Sequence, residues 1–139
     1  MTLSLEEKLE IHELLSRSAY GLDVRDVELL ASTFAENGRF SMRIGGGDLV
    51  GPFETRAGIM KLMTDSMEEQ TDQRRHGVSN IFFDGENDGN PVVVSNLTLM
   101  ATENGEIQLL SAGVYRDTVI NVDGRWEILD RYLELDKPY

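Results

Sequence analysis

The second half of the chain constrains the fold most. Four long stretches, near residues 74–83, 91–102, 107–120 and 125–135, are punctuated by Asp84-Gly85, Asp88-Gly89, Asn104-Gly105 and Asp123-Gly124. Asp-Gly and Asn-Gly accept the positive φ of tight hairpin turns, so the stretches between them are predicted to be strands joined as consecutive hairpins. The first half carries helical periodicity instead. Ser4 followed by Glu7 fits a capping box. Ile11, Leu15, Ala19 and Leu22 fall on one face with Leu14 beside them, which predicts a helix over about 5–21. Asp26 is placed to cap a second helix from Val27 to about Ala35, stopped by Asn37-Gly38. Residues 39–44 read as a strand, the following GGGDLVG as a loop, and Glu54 to about Glu69 as a third helix. Helices followed by a run of hairpins predict an α+β fold, one domain over 1–139, with a curved antiparallel sheet wrapped over helices packed on one face.

Charge narrows the partners. With 25 acidic against 13 basic residues and a net charge of −12, the chain lacks the concentrated basic stripe that nucleic-acid binding demands. The same acidity disfavours anionic membranes. There is no cysteine, which removes disulfides, thiolate nucleophiles and zinc-thiolate sites together. The N-terminal MTLSLEEKLEIH is acidic and amphipathic, not a signal peptide, so a cytoplasmic location is expected.

Strand alternation then isolates a few ionisable residues on apolar faces. His76, Val78, Asn80 and Phe82 are predicted to share one side of their strand, and Leu109, Ser111, Gly113 and Tyr115 a side of theirs. In the last strand Arg131 stands among Leu129, Leu133 and Leu135. Asp23 continues the apolar stripe of the first helix if the helix persists past Gly21. Buried charges are normally paired. A buried Asp could fix the tautomer of a His and stabilise the imidazolium formed when the other ring nitrogen takes a proton. Each residue also has a purely structural explanation: His76 satisfied by a carbonyl, Asp23 as a turn carboxylate, Arg131 paired with Asp117 or Asp130. The two arginines ahead of His76, Arg74 and Arg75, read as a solvated start of the strand. Met60, Met63 and Met67 recur at helical spacing and fit either core or one wall of an apolar pocket, to which Phe40, Met42, Val50 and Phe53 could add. No metal site is expected. The DGENDG stretch at 84–89 opens like a calcium loop but has Ser95 where the closing glutamate belongs.

The motifs Tyr20-x-x-Asp23 with Asp26, His76-x-x-x-Asn80, and Gly113-x-Tyr115-x-Asp117 followed by Asp123-Gly124-x-Trp126 resemble the SnoaL-like branch of the NTF2-like (cystatin-like cone) superfamily, over about Leu5 to Asp136. The resemblance implies a cone-shaped fold with an internal pocket. It extends to scytalone dehydratase and the hexachlorocyclohexane dehydrochlorinase, cofactor-free lyases in which a His-Asp dyad abstracts a proton. By that resemblance the dyad falls on His76 and Asp23, and an important arginine on Arg131. A second histidine of the dehydratase, expected near Thr98 to Thr102, is missing. The expectation is therefore a cofactor-independent lyase or isomerase acting on a small apolar, cyclic metabolite. His76, Asp23 and Arg131 would carry the chemistry, while Tyr20, Asn80, Tyr115, Met60, Met63 and Phe40 would line the pocket. A homodimer or higher homo-oligomer through the outer sheet face is also implied. The alternative is a non-catalytic binding or structural subunit, such as a ring-hydroxylating dioxygenase small (beta) subunit.

Overall fold

The computed structural model describes residues 2–139. Its first helix, α1 (Leu5–Val24), starts at the expected capping box: Ser4 Oγ accepts from the Glu7 amide at 3.1 Å, and the Glu7 carboxylate accepts from the Ser4 amide at 3.0 Å. It runs past Gly21 and stops at Arg25, whose left-handed backbone (φ 55°) turns its amide back onto the Gly21 and Leu22 carbonyls. That last turn carries Asp23 inward. Asp26 caps α2 (Val27–Ser32), accepting from the Leu29 amide at 3.0 Å.

The second helix is shorter than its periodicity predicts. The chain is already extended at Phe34, which opens β1 (Phe34–Ile44) opposite Ile128, while the Ile128 amide donates to the Thr33 carbonyl at 2.8 Å. Burying Phe34 and Ala35 against the sheet overrides their helical spacing. Asn37-Gly38, which reads as a stop, instead falls inside the strand at an irregularity between Phe34 and Arg39. The segment read as a loop ends in a short strand, β2 (Val50–Glu54), paired with β1. Then come α3 (Thr55–Glu68) and the hairpin run β3 (Gln73–Asn87), β4 (Asn90–Glu103), β5 (Glu106–Val122) and β6 (Arg125–Leu135).

All six strands form one sheet in the order β2-β1-β6-β5-β4-β3. It is mixed, not wholly antiparallel as expected, because β1 lies parallel to β6. Parallel neighbours need a long connection, and here α3 with the rest of the sheet supplies it. Helix α1 packs against β3, and α3 against β1 and β2. Between helices and sheet sit Ile11, Leu15, Leu30, Phe34, Ile59, Val93 and Ile128, all essentially without solvent contact. Among the described residues, no helix is long and apolar enough to cross a membrane.

Two strand irregularities decide which side chains reach the interior. In β3 the pairing with β4 slips between Ser79 and Phe82, and Asn80 adopts positive φ (54°). An extra residue in a strand reverses the facing of everything beyond it. Asn80 and Phe82 therefore leave the His76–Val78 face and are exposed, and Ile81 and Phe83 turn inward in their place. In the β5–β6 hairpin, Val122 pairs with Arg125 around the Asp123-Gly124 turn, and regular counting would set Asp117 opposite Asp130. A slip after the Val119–Ile128 pair sets Asp117 opposite Arg131 instead. A third irregularity, beside Leu99 in the β4–β5 pairing, leaves Leu109 exposed, out of line with Ser111, Gly113 and Tyr115.

Candidate functional site

Asp23 and His76 meet where the end of α1 lies over the start of β3. The carboxylate Oδ1 stands 2.6 Å from His76 Nδ1 and accepts the His76 backbone amide at 2.9 Å, with Oδ2 at 3.1 Å from the same amide. One residue thus holds both the main chain and the ring of the other. The Gln73 amide group adds a tie, donating to the carbonyls of Asp23 (2.7 Å) and Arg74 (2.9 Å). Side-chain exposures of 12 % for His76 and 9 % for Asp23 leave little competing water. An ionised carboxylate only accepts, so it places the ring proton on Nδ1 and leaves Nε2 with a lone pair.

The second constellation is the cross-strand pair that the β5–β6 slip creates. Asp117 takes Arg131 Nε at 2.8 Å and Nη2 at 3.0 Å, a bidentate pair whose side chains are 0 % and 3 % exposed. The Arg131 guanidinium also lies 3.9 Å from the centre of the Tyr115 ring. Burial works against the Arg131 charge, but Asp117 and Tyr115 more than offset it and raise the guanidinium above its ordinary range. Burial pushes the Tyr115 phenol up to about 12, against an opposing pull from Arg131. Tyr115 is therefore a neutral hydroxyl at physiological pH, able to donate a hydrogen bond.

Both constellations open on one cavity of about 120 Å³ between helices and sheet. Its walls are apolar (Phe40, Met42, Met63, Leu97, Leu99 and Leu133 among them), and His76, Tyr115 and Arg131 reach it. Of the residues expected to line it, Tyr115, Met63, Phe40 and Met42 do, whereas Val50, Phe53 and Met67 do not. Met60 packs against the core beside it, and three further positions correct the sequence reading. Tyr20 is 59 % exposed because it follows inward-facing Ala19 by one residue, about 100° round the helix. Asn80 is turned away by its bulge. Arg74 is not a solvated start of the strand: it faces the cavity, with Nε 3.1 Å from Asp72 and its guanidinium 5.1 Å from the Tyr139 ring centre. The alternation that singles out His76 also puts Arg74 on the same face, so the signal was present. Among the described residues, no three His, Asp or Glu side chains are grouped to hold a metal ion.

The family described as the SnoaL-like domain matches residues 3–132. The chain belongs to the SnoaL-like family. No curated protein matches it. The fold of this SnoaL-like chain is similar to that of Aln2 from a Streptomyces species, at TM-score 0.82 and 22 % identity over 98 % of this chain and 95 % of that one. A Catenulispora acidiphila protein in complex with S-DNPA is alike at TM-score 0.81 and 23 % identity, covering 96 % of each chain. A Nostoc punctiforme protein with a cystatin-like fold gives TM-score 0.75 and 24 % identity over 98 % and 96 %. At these identities the likeness speaks for the fold: the SnoaL-like chain has the cystatin-like, NTF2-like α+β architecture.

Proposed function

We propose that this SnoaL-like chain is a lyase or isomerase whose proton transfer needs only its own side chains. The observation that carries the proposal is the 2.6 Å contact of His76 Nδ1 with Asp23, made by a ring that faces an apolar cavity. His76 Nε2 takes a proton from a carbon next to a carbonyl, and Asp23 balances the imidazolium that forms. The electron pair left behind moves onto the carbonyl oxygen as an enolate. The neutral Tyr115 hydroxyl and the Arg131 nitrogens not held by Asp117, both in the cavity wall, would steady that oxygen. Where a C=C adjoins the α-carbon the intermediate is a dienolate, and return of the proton to its γ-carbon completes an isomerisation. Departure of a leaving group from the β-carbon, protonated by His76 if it is hydroxide, completes an elimination. An apolar cavity suits a small cyclic ketone, excludes water and keeps these electrostatic terms strong. An unfilled cavity with the dyad in contact favours this reading over that of a structural subunit, whose pocket would be filled.

The test is deuterium incorporation. A panel of small cyclic ketones is incubated with the protein in D₂O and followed by mass spectrometry. Wild type should exchange protons of at least one ketone, and His76→Ala should slow that exchange by ~10²–10⁴-fold. Equal exchange by the two proteins would end the proposal.

A further inference from the structure

The cavity has a polar end that the proton transfer leaves unused. Arg74 projects from the same face of β3 as His76, two residues or roughly 7 Å away along the strand. Its side chain is 16 % exposed. Asp72 engages only its Nε; among the described residues the two terminal nitrogens have no hydrogen-bond partner. A guanidinium carries five N–H donors in a planar fork, so most of its capacity is directed at nothing in the protein. Asp72 is also shared, because Arg25 Nη2 lies 3.8 Å from the same carboxylate. Two guanidiniums thus divide one counter-charge, and the neighbouring carboxylate of Asp23 is taken by His76. Arg131 differs: both its Nε and its Nη2 are held by Asp117.

A planar cation largely withdrawn from water, with its terminal fork free of hydrogen-bond partners in the wall of a largely apolar cavity, matches a carboxylate that accepts two parallel hydrogen bonds. We infer that Arg74 reads a carboxylate on the cavity's ligand, so that the substrate class is a small cyclic ketone that also carries a carboxylate, and not a neutral ring. The inference rests on the cavity being the ligand site proposed above, but not on the proton transfer. The spacing of Arg74 from His76 requires the carboxylate to sit about one ring's width from the carbon that loses its proton. The net charge of −12 repels an anionic ligand at long range, so holding one calls for a local cation.

The probes are 2-naphthoate and methyl 2-naphthoate, which differ only in the charged group, titrated calorimetrically at pH 7.5 and low salt. Wild type should bind the acid about tenfold or more tightly than the ester. Arg74→Gln should abolish that preference while keeping the ester affinity, with thermal unfolding run alongside to confirm the fold. Should Arg74→Gln not fold, Arg74→Lys decides: it keeps the charge without the fork, so a reduced preference supports the inference and an undiminished one overturns it. Equal affinities in wild type, binding of neither probe, or a preference that survives in folded Arg74→Gln likewise overturns it. Loss of deuterium exchange in His76→Ala without an acid preference in wild type defeats this inference alone. An acid preference with exchange unaffected by His76→Ala defeats the proton-transfer reading alone.

Discussion

Asp117 governs the charge balance of the interior. It is fully buried and holds two nitrogens of Arg131, and removing one member of a buried ion pair leaves the other uncompensated. Asp117→Ala is expected to cost about 3–5 kcal/mol of unfolding free energy by urea denaturation. Replacing Asp117 and Arg131 together by apolar residues of similar volume should cost less than that single change. Tyr115 adds a pH dependence whose direction follows from its raised phenol. The unfolded chain releases that proton near pH ~10, the folded protein at about 12. Below pH ~10 both states keep the proton and stability is full. As the pH rises from there towards 12, only the unfolded chain ionises, and stability falls by up to about 3 kcal/mol. Tyr115→Phe should flatten this part of a stability profile measured against pH; an unchanged slope would remove Tyr115 as its source. At this scale much was legible in the sequence. An ionisable residue in an apolar line must find a partner, and that argument alone selects His76, Asp23 and Arg131. It could not choose between Asp117 and Asp130 for Arg131, because that choice is made by a slip in strand pairing.

Among the elements, local signals were the readable ones. The Ser4–Glu7 box, the Asp26 cap and the Asp88-Gly89, Asn104-Gly105 and Asp123-Gly124 turns act over a few neighbouring residues, so they survive into the fold unchanged; Asp84-Gly85, expected to be a turn, lies instead inside β3 at a slip in its pairing with β4. Strand facing did not survive, because counting by two assumes an unbroken strand and Asn80 breaks β3. The end of α2 was missed for a different reason: Phe34 is won by its long-range partner Ile128. The β5–β6 pairing also makes a testable demand at Gly113. A Cβ there would lie 2.3 Å from the Glu134 carbonyl oxygen, which is backbone and cannot swing aside. Gly113→Ala should therefore destabilise the protein by about 1–3 kcal/mol, seen as a lowered thermal midpoint. Unaltered stability would mean that the two strands part more easily than their spacing implies.

On the scale of the whole molecule, the sheet face turned away from the helices is unusually apolar for a chain of net charge −12. Phe82 from β3, Met100 from β4, and Ile107, Leu109 and Val114 from β5 all stand exposed. Exposed apolar side chains gathered on one sheet face fit an association site, and static light scattering is expected to give twice the mass of one chain. Raising the salt should strengthen that association by screening the repulsion between two acidic chains; a single-chain mass at every salt concentration would count against it. The slipped β5–β6 hairpin has a consequence for how the chain reaches this state. A hairpin that closed in the regular register would bring Asp117 against Asp130 and leave Arg131 without its counter-ion. Two like charges directly opposite one another are unfavourable, so the simplest misfolded hairpin is selected against while it forms, before the core closes over it.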